Sequence, residues 1–454
     1  MKKLFELAAK NKSLSFFDSD KRINKKIDEL NIVEIPSTNE KKLAFLFLDN
    51  SIESITVFWS FMRSDHAIVL LNPNLEQGLK NKAIKTYNPF YVYDPSIQEH
   101  INYTSKTIEY LKIFVATITN EIVIHPKIKV LLSTSGTTGS PKFVKLSEEN
   151  LIENALSISD YLPIKSDDVT PLNLPIYYSY GLSILNSNSI KGGKIVCTNK
   201  TVVEKGFWED FNQDQYTTLA GVPYLYEMLN RIGFTKKQYP SLRYMTQAGG
   251  KLNNKLIQVF NNHCKENNAA FYVMYGQTEA TARISYLPPN RINDKLGSIG
   301  KPIKNGEFQI SDENEELLYK GPNVFGGYAT KLNDLISYNQ PSWLKTGDLG
   351  FKDDDGFFFI KGRIKRFVKL FGNRINLDDI ENICKQHFSN RIFATKGFED
   401  KKLLIAYQGE ELSTTEVKSF LRDKLKIHPT SIKILRLEKL PLTSNGKINY
   451  QQIT

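Results

Sequence analysis

Short apolar runs separated by helix-patterned stretches dominate the first 125 residues. The runs are KLAFLFLD (42–49), HAIVLLN (66–72) and FYVYD (90–94), and DKRINKKIDELNIV (20–33) reads as one of the helices between strands. Such a rhythm predicts βα units and a largely parallel sheet. It continues downstream. GGKIVCT (192–198) reads as a strand, VPYLYEMLNRIG (222–233) as a helix, LRYMTQAGG (242–250) as a strand running into a glycine turn, and AFYVMYGQTE (270–279) as a strand running into a loop. Glycines and polar residues at strand ends mark where open α/β sheets hold ligands.

One junction stands out. IKVLL (128–132) reads as a buried strand and passes into STSGTTGSPK (133–142), then FVKLS, then a helix from about Glu148 with Ser147 as its N-cap. Glycine N–H groups approach phosphate oxygens closely because no Cβ intervenes. Hydroxyls add donors, and Lys142 adds a point charge. No Gly-Lys-Ser/Thr follows, so this is not the common nucleotide loop. Read by itself, the stretch is equally a polar surface turn.

From about 296 the texture changes to strands punctuated by Gly and Pro, which predicts a β subdomain to about 361. Helices at about 378–388 and 414–426, with strand-like runs between and after them, then predict a small α+β domain over 362–454. The fold class expected is therefore α/β: a large N-terminal domain (1–361) and a small C-terminal one.

The 454 residues carry a net charge of +11. Residues 362–454 hold 18 Lys and Arg against 10 Asp and Glu, or +8. A basic tail beside a nearly neutral body points to an anionic partner. A phosphorylated cofactor or an acidic carrier protein satisfies it, and no helix-turn-helix, zinc or RNA-recognition signature supports nucleic acid. Cys197, Cys264 and Cys384 form no CxxC pair, which fits a reducing compartment. With no apolar run approaching the ~20 residues of a membrane span, a soluble, cytoplasmic protein is expected.

STSGTTGSPK resembles the phosphate-binding signature of the adenylate-forming superfamily, which includes acyl-CoA synthetases, aryl-CoA ligases, luciferases and peptide-synthetase adenylation domains. MYGQTEAT (274–281), WLKTGDLG (343–350), GRIKRFVKLFGNRINLDDIE (362–381) and PLTSNGKINY (441–450) resemble further motifs of that family, in the family's order. The resemblance implies a two-step reaction. ATP and a carboxylic acid give an acyl-adenylate and pyrophosphate; a thiol, from CoA or a phosphopantetheinyl carrier, then displaces AMP.

It also implies roles. Thr134, Ser135, Gly136, Thr137, Thr138, Gly139 and Lys142 grip the phosphates. Tyr275 stacks on adenine, Gly276 adjoins it, and Thr278 bonds the α-phosphate. Glu279, with Thr134, is implied as the Mg²⁺ contact. Ala248, Gly249 and Gly250 line the adenine and acyl pocket. Asp348 accepts from the ribose hydroxyls, and Arg363 donates to ribose or phosphate. Lys447 bridges the acid's carboxylate and the α-phosphate as the new bond forms, and Lys365 occupies the hinge position of a mobile small domain. Glu279, Lys142 and Lys447 are thus the catalytic set.

Two positions depart from the family pattern. Phe143 stands where glycine usually follows Pro-Lys, and Tyr178 where LPIYYSYGL (174–182) would often carry His. Tyr178, Gly181 and Gly249 are expected at the acyl group. That stretch has no acid to receive a substrate ammonium, and an unpaired ammonium in a buried pocket is costly. An uncharged acyl, aryl or hydroxy-acid tail is therefore expected. No carrier domain follows Thr454, so any carrier is expected to be a separate protein. Two other readings stay open: a stand-alone amino-acid:carrier-protein ligase of the D-alanine kind, and a non-catalytic nucleotide or nucleic-acid binder.

Overall fold

The computed structural model describes residues 3–97, 99, 102–117, 122–133, 142–364, 366–370, 373–388, 391–398, 402–425, 428–443 and 447–453. The chain packs as two units, residues 1–308 with 319–344, and residues 309–318 with 345–454.

In the first unit the apolar runs became strands as expected. Leu43–Phe47 pairs in parallel with Ala67–Leu71 and with Tyr91–Tyr93, and Ala67–Leu71 pairs in parallel with Val130–Ser133. Phe143–Leu146 returns antiparallel to Val130–Ser133, and Tyr328–Ala329 pairs outside it. A second group of strands, Thr218–Gly221, Tyr244–Gln247 and Ala270–Tyr275, is parallel, with Ser285–Leu287 and then Ser298–Pro302 added antiparallel. Helices Glu148–Tyr161 and Ser179–Lys191 pack against each other. The fold is mixed α/β.

The stretch 20–33 is not a helix. Ile23–Lys26 forms a strand antiparallel to Ser15–Asp18, followed by a single 3₁₀ turn at Ile27–Glu29. The reversal is built by Asp18, whose Oδ1 accepts from the N–H groups of Asp20 and Lys21, and by Arg22 at φ 56°. Pairing with the buried Ser15–Asp18 strand outweighs the weak helical preference of an exposed, lysine-rich segment.

Phe143 has a packing explanation. It is fully buried, its ring lies 4.9 Å from that of Tyr87 and 6.1 Å from that of Phe45, and it belongs to the core under the Leu43–Phe47 strands. Ser147 caps the next helix as expected: its Oγ accepts from Asn150 N–H at 3.0 Å while Asn150 Oδ1 accepts from Ser147 N–H at 2.9 Å. The strand Phe143–Leu146 is thus fixed at one end by a buried ring and at the other by a cap.

In the second unit, Leu344–Lys352 and Phe358–Arg363 form an antiparallel pair. Strands Ile392–Phe398, Lys402–Gln408 and Ile432–Leu437 form a sheet against helices Leu377–His387 and Thr414–Leu425. Ile380, Cys384, Phe393, Leu403, Val417 and Leu421 fill its core. All three cysteines are buried thiols, and no helix among the described residues is long and apolar enough to cross a membrane.

Candidate active site

The strand Tyr328–Ala329 runs antiparallel to Phe143–Leu146, with Tyr328 opposite Val144. This places the Tyr328 side chain beside the residue that ends the hydroxyl-rich loop. Lys142 Nζ lies 3.4 Å from the Tyr328 ring centroid. The same phenol donates to Glu279 Oε1 at 2.8 Å, and Glu279 is held from its own backbone as well, where its carbonyl accepts from Phe325 N–H at 2.9 Å. One side chain therefore joins two residues far apart in sequence, each expected to act on ATP. A phenol that donates to a carboxylate is a richer ring for a cation, so the two contacts reinforce each other. Burial, and then the Glu279 charge, push the Tyr328 hydroxyl up, so it stays a donor.

Glu279 follows directly from the strand Ala270–Tyr275 and sits in a 3₁₀ turn, Thr278–Ala280. Thr278 Oγ1 is 3.3 Å from Ser179 Oγ, the first residue of the helix Ser179–Lys191. Gly276 is obligatory here: a Cβ on it would lie 1.8 Å from the carbonyl oxygen of Ala282. The tight return of 276–282 is what brings Thr278 and Glu279 to the end of the sheet.

Ala248 is buried and donates its N–H to Gly221 O at 3.1 Å, and Gly250 O accepts from Gln247 Nε2 at 2.8 Å. This turn thus closes over the end of the neighbouring strand, with Gly249 at its middle at φ 85°. Tyr178 precedes the helix Ser179–Lys191 and is buried, which pushes its hydroxyl up to about 12. Gly181 has a packing reason to be glycine, because a Cβ would meet Pro175 O at 2.1 Å. It lets the helix lie directly on the preceding loop.

Between this helix, the helix Glu148–Tyr161 and the three parallel strands lies a cavity lined by Tyr180, Ser183, Thr246, Met274 and Arg283 among others. Tyr180 hydroxyl reaches Thr246 O at 2.9 Å and Thr246 Oγ1 at 2.8 Å. Arg283 stacks on the Tyr180 ring, Cζ to centroid 3.8 Å. Neither Tyr328 nor Arg283 was singled out from sequence. Tyr328 closes the stretch ELLYKGPNVFGGY, and Arg283 lies just beyond MYGQTEAT. A basic residue in an otherwise small and apolar return after that motif was the available signal for Arg283.

In the second unit, Asp348 and Arg363 face each other across the antiparallel pair, and Arg363 Nε donates to Asp348 Oδ1 at 3.1 Å. Asp348 is buried while Arg363 is 60% exposed at its side chain. Lys447 stands at the base of a short return. Its N–H donates to Thr443 Oγ1 at 3.2 Å, its carbonyl accepts from Thr443 N–H at 2.7 Å, and Leu442 bridges Ile448. Thr134, Ser135, Gly136, Thr137, Thr138, Gly139 and Lys365 lie outside the described residues.

No cluster of three or more metal-ligating His, Cys, Asp or Glu side chains occurs among the described residues. Glu279 nonetheless suits magnesium, which takes few protein carboxylates and several waters and phosphate oxygens. One of its oxygens is oriented by Tyr328, and the other accepts from no described residue.

A family model described as "AMP-binding enzyme" matches residues 37–329. A 2-succinylbenzoate–CoA ligase of Bacillus cereus (strain AH820) is 27% identical over 443 residues, covering 90% of this chain and 86% of the relative. Among solved structures, o-succinylbenzoate CoA synthetase of Bacillus subtilis in complex with its acyl-adenylate intermediate superposes with a TM-score of 0.79 at 22% identity, covering 100% of this chain and 98% of that one. The same enzyme with ATP and magnesium gives 0.78 at 23% identity, covering 99% and 98%.

Proposed function

The chain belongs to the AMP-binding enzyme family, and from that premise we propose that it is a CoA ligase for an aromatic keto acid of the 2-succinylbenzoate kind. It is an AMP-forming acid–thiol ligase that uses ATP and Mg²⁺. In the first step an acid oxygen attacks the α-phosphorus and the bond to the β-phosphate bridging oxygen breaks, releasing pyrophosphate. In the second, the thiolate of CoA attacks the acyl carbon and the acyl–phosphate bond breaks, releasing AMP.

The observation that carries this reading is the meeting of Lys142 and Glu279 on Tyr328. A phosphate-gripping cation and a metal-binding carboxylate would be needed on the same triphosphate. Lys142 draws the β- and γ-phosphates that leave together. Thr278 hydroxyl donates to the α-phosphate, and Glu279 offers the protein oxygen for magnesium, whose charge offsets that of the phosphates. Tyr275 supplies a face for adenine, beside the small residues Ala248, Gly249 and Gly250. Asp348 accepts from the ribose hydroxyls, and Arg363 donates to ribose or phosphate oxygens. Lys447 aims its charge at the oxygens that gain negative charge as the acid attacks. We take the functional boundary at 361–365, at the end of the strand Phe358–Arg363. Lys365 is its hinge residue.

CoA is favoured over a carrier protein as acceptor, because the relatives with this architecture carry that name and the basic 362–454 segment suits its phosphates. An α-amino acid is disfavoured by Arg283, since a substrate ammonium in that cavity would face a buried cation. ATP–pyrophosphate exchange over a panel of acids tests the reading, followed by thioester trapping with CoA against phosphopantetheinyl carriers. Exchange confined to amino acids would overturn the substrate assignment. No exchange with any acid would overturn the enzyme reading itself.

A further inference from the structure

Arg283 is 3% exposed, and what surrounds it does not balance its charge. Its Nε has no hydrogen-bond partner. Its Nη1 donates only to the neighbouring Ala282 carbonyl, at 3.4 Å. Its guanidinium also lies over the Tyr180 ring. No carboxylate among the described residues pairs with it. A guanidinium has five donors and cannot shed its proton, and a buried charge left unpaired is among the costliest features a fold can carry. Arg283 is held in place all the same. Its backbone N–H donates to Asn154 Oδ1 at 3.3 Å, and its carbonyl accepts from Asn154 Nδ2 at 2.9 Å and Asn323 Nδ2 at 2.8 Å. Framework and charge are thus separate matters at this residue. The backbone is tied on three sides and the guanidinium is left open on the cavity wall.

The cavity is small, about 30 Å³, and we place the tail of the acid against it. Thr246 is two residues from Ala248, Met274 precedes Tyr275, and Tyr180 adjoins Gly181, so its lining comes from the same strands and helix that carry or lead into positions assigned to the adenylating centre. Several hydroxyls there are already used: Ser183 Oγ donates to Tyr180 O at 2.7 Å, and Thr246 Oγ1 meets Tyr180 hydroxyl. Arg283 is the charged lining group, and it has donors to spare. We propose that Arg283 is a specificity-determining residue that pairs with a second carboxylate on the acid, the one that is not adenylated. This rests on the substrate reading above, and it replaces the uncharged tail expected from sequence with an anionic one. A planar guanidinium matches a carboxylate in a two-pronged pair, and Tyr180 beneath it fixes the plane.

The test compares 2-succinylbenzoate with 4-oxo-4-phenylbutanoate, the same acid without the ring carboxylate, in pyrophosphate exchange by the wild type, Arg283→Met and Arg283→Lys. For the diacid, KM should rise about 100-fold in Arg283→Met, as expected when one partner of a buried charged pair is removed. The monoacid should be unaffected, and Arg283→Lys should keep part of the diacid preference. The ligand-free Arg283→Met protein should melt higher than the wild type, because an uncompensated buried charge is gone. An unchanged ratio between the two acids, or a ligand-free Arg283→Met protein that is less stable or unfolded, would assign Arg283 to the framework and overturn the proposal. If the wild type activates neither acid, the substrate reading fails, and the anion site is then decided by thermal stabilisation with benzoate. Stabilisation of the wild type but not of Arg283→Met supports the site; equal or absent stabilisation in both refutes it.

Discussion

Arg283 in the first unit and Arg366 in the second are built alike up to a point. Each guanidinium lies over a tyrosine ring, at 3.8 Å on Tyr180 and 3.9 Å on Tyr450. Each is largely withdrawn from water, Arg283 at 3% residue exposure and Arg366 at 14% of its side chain. Their partners differ completely. Arg366 donates to Asp378 at 2.8 Å, Glu381 at 2.6 Å and Thr395 O at 2.9 Å. Glu381 in turn accepts from Thr395 N–H at 2.7 Å and from Tyr450 hydroxyl at 3.1 Å. The second unit uses its buried arginine to tie the C-terminal return that carries Lys447 onto the helix Leu377–His387. The first unit leaves its arginine open. Saturated charge reads as framework, and unsaturated charge in a cavity reads as a place for ligand.

The strongest way to break this contrast is to remove each arginine in turn. Arg366→Met should cost about 3–5 kcal/mol of stability, because Asp378 and Glu381 would be left without their buried partner. Chemical denaturation of the two Met variants measures this directly. Opposite signs, with Arg366→Met destabilised and Arg283→Met not, sharpen the contrast; equal losses end it. Next comes Lys447, which the Arg366 network supports without being part of it. Lys447→Ala should lose about 3–4 kcal/mol of transition-state stabilisation in adenylation, or roughly 10²–10³ in rate. Thioester formation from supplied acyl-adenylate should survive. Equal loss in both half-reactions would show that the residue serves the fold or both steps alike.

The same contrast explains what the sequence could reveal. The strands at 43–47, 67–71 and 130–133 were legible because continuous apolar runs bounded by turns admit few alternatives. So was the cap at Ser147, a local event of three residues. The segment 20–33 was misread because its strand exists only by pairing with Ser15–Asp18, a neighbour that periodicity cannot supply. Phe143 looked anomalous after Pro-Lys and is ordinary in the core, since its partners Tyr87 and Phe45 come from other elements. Glu279, Asp348 and Lys447 were singled out through resemblance, each in a short contiguous motif. Tyr328 and Arg283 were not, because their meaning lies in contacts with residues distant in sequence. Whether a basic residue has an acid beside it is a three-dimensional fact.

Two phenols offer the finest test of framework against site. Tyr450 hydroxyl donates to Glu381 and Tyr328 hydroxyl donates to Glu279, so Tyr→Phe removes the same bond in each and keeps the ring under its cation. Tyr450→Phe should cost about 1.5–3 kcal/mol of stability, as bonds to charged groups do when buried. It should leave the magnesium dependence of adenylation alone. Tyr328 is 38% exposed, so its loss should cost less than about 1 kcal/mol of stability, with solvent replacing the bond. Its effect should appear instead in the reaction. Without the phenol, Glu279 loses the bond that orients one oxygen, and the magnesium concentration for half-maximal exchange should rise by about 3–10-fold, the scale of one such bond. A magnesium titration of the two variants decides it. If both shift stability and neither shifts the magnesium requirement, the Lys142–Tyr328–Glu279 contact is framework like its counterpart at Arg366. If only Tyr328→Phe shifts the requirement, the phenol presets the carboxylate for its metal.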